Sequence, residues 1–85
     1  MDINQRAIRT FGEENQINMA IEELSELLTA ICHYRRKKTN EFQVCTEIAD
    51  VMIMCEQLRL IFGSDDVDSE KLKKLLRLDK TIASH

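Results

Sequence analysis

Apolar residues recur along this chain with a helical period, and no stretch alternates as a half-buried strand would. Residues 3–11, INQRAIRTF, form a short helix candidate that Asp2 can cap. Gly12 interrupts or bends the chain ahead of the second helix. Over 14–36, Ile17, Ala20, Ile21, Leu24, Leu27, Leu28 and Ile31 make one apolar stripe, with Ser25, Thr29 and His33 on the wet face. RRKK at 35–38 puts positive charge at the C-terminal end of this helix, where the dipole favours it. Thr39 and Asn40 break the pattern and can cap the next segment, 41–62. Its second half, VMIMCEQLRLIF, is apolar on almost every side, as in a helix buried between several neighbours or between two subunits. Gly63 suits the position after a helix end. SDDVDS then reads as a loop, with Asp68 or Ser69 capping a last helix over 69–82. That helix carries Leu72, Leu75, Leu76 and Ile82 on one side and Lys71, Lys74, Arg77 and Lys80 on others.

The pattern predicts an all-α fold in a single domain over 1–85. It is a short helical bundle of three main helices plus a short N-terminal one. The chain has no proline and two glycines, too few breakers for many strands and tight turns. A core of 85 residues is marginal alone, so the bundle is expected to be completed by oligomerisation, as a homodimer or homotetramer.

The carboxylates depart from the apolar pattern. On a wheel stepped by about 100° per residue, Glu23 lies about 100° from Leu24, and Glu26 about 60° beyond it. Their line runs on through Gln16, Met19 and Ala30. In the third segment Glu47, Asp50, Met54, Leu58 and Ile61 share one stripe. Unpaired carboxylates beside a core are costly, and like charges on adjacent turns repel unless one is protonated or a cation lies between them. Four carboxylates converging from two antiparallel helices make an all-oxygen site for a hard divalent ion, Mg²⁺ or Mn²⁺. Solvated Glu-rich helices also produce ExxE by chance; placement on apolar faces is what favours the metal. A di-iron site would want ExxH, and neither His33 nor His85 follows a Glu by three residues.

Charge and cysteines narrow the setting. With 12 basic and 15 acidic residues the net charge is −3, so nucleic acid is not an expected partner. Cys32, Cys45 and Cys55 form no CxxC pair, and their apolar context predicts buried free thiols in a reducing, cytoplasmic environment. No segment reaches transmembrane length, and residues 1–11 lack the apolar run of a signal peptide.

GEENQINMAIEELSELLTAI at 12–31, followed by EIADVMIMCEQL at 47–58, resembles the MazG-like nucleoside triphosphate pyrophosphohydrolases. That all-α superfamily also includes dimeric dUTPases and dCTP pyrophosphatases. Its ExxE and ExxD correspond here to Glu23 and Glu26, then Glu47 and Asp50. Gln16, the EELSEL context and KLLRL at 74–78 also fit, and the likeness spans nearly the whole chain. The resemblance implies hydrolysis of an NTP or dNTP between the α and β phosphates, giving a monophosphate and pyrophosphate. It implies Mg²⁺ on Glu23, Glu26, Glu47 and Asp50, with Glu22 as an extra ligand or base. Lys74 and Arg77 would hold phosphates, unless they are simply a solvated basic face. Gln16 would contact the nucleotide or bridge within the bundle. Tyr34 would touch a base or pack in the core. Met19 stands where many relatives carry lysine, the segment after Asp50 is compact, and the second domain of the longer members is missing. A partner subunit is therefore expected to supply part of the pocket. The reading from a different class is a non-catalytic helical module that dimerises through the third helix.

Overall fold

The computed structural model describes residues 1–85, and all regular structure in it is helical: α1 Ile3–Phe11, α2 Glu13–Arg35, α3 Glu41–Phe62 and α4 Ser64–Ala83. Asp2 caps α1 in a reciprocal box. Its Oδ1 accepts from the Gln5 amide at 2.8 Å, and its own amide donates to Gln5 Oε1 at 3.1 Å. Gly12 links α1 to α2 at φ 90°, where a side chain would strain the backbone; nothing lies within 4 Å of a Cβ there, so conformation and not space demands the glycine. Asn40 caps α3 by accepting from the Gln43 amide at 3.0 Å.

α2 and α3 form an antiparallel hairpin. Gln16 meets Gln57 at one end and Tyr34 meets Glu41 at the other. α1 lies across both helices, while α4 packs against α3 alone.

The expected loop over SDDVDS is not there: α4 begins at Ser64, immediately after Gly63 at φ 134°. One residue in that conformation turns the chain by itself, and Asp65 and Asp66 suit the first helical turn. Asp68 does not cap. It accepts two hydrogen bonds from Arg59, 2.7 Å from Nε and 2.6 Å from Nη2, and so ties α4 to α3. That pairing raises the Arg59 pKa and lowers that of Asp68, with the hydrogen bond as the first cause of each.

The centre of the apolar stripe of α2 does not face α3. The side turned inward carries Gln16, Ala20, Glu23, Leu27 and Ala30, about 80° round the helix from the centre of the stripe. Ile21 and Leu28 consequently remain 58% and 64% exposed. On α3, Met54 is buried, whereas Met52 and Ile53 are 68% and 53% exposed, so one chain covers only one side of this helix. The three cysteines are free, but all are exposed, contrary to their apolar context. Only Gln16, Ala20, Met54 and Gln57 are buried. The radius of gyration is 15.8 Å, against roughly 12 Å for a compact chain of this length.

Candidate metal centre

The α2–α3 seam has a polar middle. At one end Gln16 Nε2 donates to Gln57 Oε1 at 2.7 Å, Gln57 Nε2 donates to Asn4 Oδ1 at 3.2 Å, and Asn15 Nδ2 donates to Gln16 Oε1 at 3.3 Å. This amide chain fixes the register of α1, α2 and α3. It also engages Gln16 in bridging, one of the two roles its sequence position left open.

Further along the seam, Glu23, Glu26 and Glu47 converge. Each contributes a carboxylate oxygen, and these oxygens lie within 4.8 Å of one another. Glu23 and Glu47 are half-buried and Glu26 is exposed. Glu23 Oε2 and Glu47 Oε2 are buried atoms with no hydrogen-bond partner. No cation of the chain reaches them, for the ion pairs are Arg59–Glu56, Arg59–Asp68 and Lys73–Glu70. Burial is the first cause that pushes both Glu23 and Glu47 above the usual carboxylate range. The charges of Glu26 and Asp50 add to it. Carboxylates whose orphaned, buried oxygens face a third carboxylate could hold a hard divalent ion, which would neutralise their charge directly.

Comparison with protein-family models, curated proteins and solved structures finds no match to this chain.

Three of the four expected ligands therefore come together. Asp50 stands outside the triad, exposed, one turn beyond Glu47, and acts on it through its charge. Glu22 is exposed and is not a member. Lys74 and Arg77 lie on α4, which does not touch α2. Tyr34 is not a core residue: it is 44% exposed, and its hydroxyl donates to Glu41 Oε1 at 3.4 Å.

Beside Glu26 and Glu47 opens a cleft of about 370 Å³ that Ser25, Thr29, His33 and Gln43 also line. The wheel gave Ser25, Thr29 and His33 to solvent. They are exposed, but they border the carboxylates, as spacings of three and seven residues from Glu26 place Thr29 and His33 on its face. Gln43, one turn before Glu47, joins them by the same rule. The cleft can accept hydrogen bonds through its hydroxyls and donate them through its imidazole and carboxamide. No helix is long and apolar enough to cross a membrane.

Proposed function

We propose that this chain is a Mg²⁺-dependent nucleoside triphosphate pyrophosphohydrolase, with Mn²⁺ as an alternative ion, cleaving between the α and β phosphates. The observation that carries the reading is the pair of partnerless buried oxygens, Glu23 Oε2 and Glu47 Oε2, facing Glu26 within the ordered ExxE and ExxD motifs. Glu23, Glu26 and Glu47 would hold the ion, and Asp50 would join them from the rim. When bound, the ion neutralises triphosphate charge and polarises an attacking water. Glu23 and Glu22 are the acids to receive a proton from that water. Ser25, Thr29, His33 and Gln43 would orient the polar part of the nucleotide in the neighbouring cleft.

The functional unit in this reading is a homodimer or homotetramer. Exposed Ile21, Leu24 and Leu28 on α2, and Met52 and Ile53 on α3, are the faces an oligomer would cover. Lys74 and Arg77 then reach phosphates only across a subunit boundary, and the three exposed free thiols suit a reducing compartment.

The second reading is a non-catalytic helical association module, favoured by the large exposed apolar surface. Pyrophosphate release from a panel of NTPs and dNTPs, with Mg²⁺ and with chelator, separates the two. The enzyme gives monophosphate and pyrophosphate only with the ion, and Glu47→Gln abolishes release while helicity stays. Silence from folded, metal-supplied protein across the panel favours the module. In that case replacing the acids by leucine stabilises the fold.

A further inference from the structure

α4 is the least supported element. It runs for 20 residues, packs on α3 alone, and is exposed from Asp65 to its end. A free helix of this length is marginal in water. Leu72, Leu75, Leu76, Leu78 and Ile82 are each more than half exposed and fall on one side. Around them, residues 71–82 hold Lys71, Lys73, Lys74, Arg77 and Lys80 against the single acid Asp79.

The outer face of α2 has the opposite character. Ile21, Leu24, Leu28 and Ile31 are exposed there, at 58%, 45%, 64% and 41%. Glu13 and Glu14 lie on and beside this stripe, and residues 10–34 contain no Lys or Arg. Within one chain the two faces do not meet, because α4 reaches only α3. Pairing α4 with α4 would set the basic stretch against its own copy. Pairing it with the outer face of α2 joins apolar to apolar and basic to acidic.

We propose that α4 is an exchange arm: in the oligomer, the α4 of one copy lies on the outer stripe of α2 in a second copy, reciprocally. The inference rests on the oligomeric part of the proposed function, and its test reads self-association alone. Two reversed variants test it by light scattering of the full chain, with helicity checked by circular dichroism. Lys71→Glu/Lys74→Glu reverses the arm, and Glu13→Lys/Glu14→Lys reverses the edge of the receiving stripe. Each alone is expected to weaken self-association at least about tenfold. Mixing them restores the wild-type mass, because both contacts in a mixed dimer are again complementary. Leu75→Glu is expected to halve the mass. The proposal is overturned by a wild-type chain that stays monomeric, with its arm folded on its own helices or bound to anionic vesicles. It is also overturned if either reversed variant keeps full self-association, or if two helical variants fail to restore it on mixing. Pyrophosphate release enters none of these readouts, so the arm and the enzymatic reading can fail separately.

Discussion

The α2–α3 hairpin and the α4 arm are both built from amphipathic helices, yet they resolve their amphipathicity in opposite ways. In the hairpin, polar groups turn inward: an amide chain at one end and three carboxylates in the middle occupy the seam, while Leu24 and Leu28 face out. In the arm nothing is buried, and a single bidentate ion pair tethers the helix. Hydrophobic burial therefore does not by itself decide which face of α2 meets its neighbour. Paired amides join the helices, and the remaining apolar surface stays exposed.

The largest expected effect lies in the seam. Glu47→Gln or Glu23→Gln should lower kcat/KM for triphosphate hydrolysis by at least about 100-fold, the scale seen when one electrostatic contact to a reacting centre is lost. Far-ultraviolet circular dichroism should be unchanged. Next comes the amide chain. Gln57→Leu leaves Gln16 and Asn4 without their partner and should cost about 1–3 kcal/mol in urea unfolding. Adding Gln16→Leu should recover much of that, since neither buried amide is then orphaned. In the arm the same kind of experiment should do less: Arg59→Ala should cost about 1 kcal/mol or less, because the pair is partly exposed. Hydrogen exchange sharpens the contrast. In a Leu75→Glu chain the amides of 71–83 should exchange fast, while those around Ala20 and Met54 stay protected.

Acid titration gives the smallest signal and a clear sign. Glu23 and Glu47 hold protons more tightly in the folded chain than at their ordinary value of 4.5. Without divalent ions, stability should therefore rise as pH falls from neutral toward 4.5, and fall again as pH rises through their folded values. Asp68 works oppositely and lower. Its stabilising pair is present above 3.8 and is lost as pH falls through its depressed value. Thermal melting against pH should show the first trend abolished in Glu23→Gln/Glu47→Gln.

Helix placement was legible from the chain because Asp2, Gly12, Asn40 and Gly63 punctuate it with caps and turns of known chemistry. The start of α4 was not, because SDDVDS has loop composition, yet the helix starts directly after Gly63 and Asp68 binds Arg59. Convergence of Glu23, Glu26 and Glu47 could be read from spacing. The place of Asp50 outside the triad could not: it depends on how far α3 is rotated against α2. That same rotation hides the neighbourly role of Thr29, His33 and Gln43 from any reading of a single helix. Exposure of Cys32, Cys45 and Cys55 follows from the thinness of the fold, which leaves apolar positions open on both outer faces.

In the proposed function the carboxylate seam holds a divalent ion. Isothermal calorimetry of Mg²⁺ and Mn²⁺ binding to the wild-type chain and to Glu47→Gln addresses it most directly. Saturable binding of either ion by the wild-type chain, lost in the variant, is the expected result. Heats of dilution alone from the folded wild-type chain, or equal binding by both proteins, would contradict it.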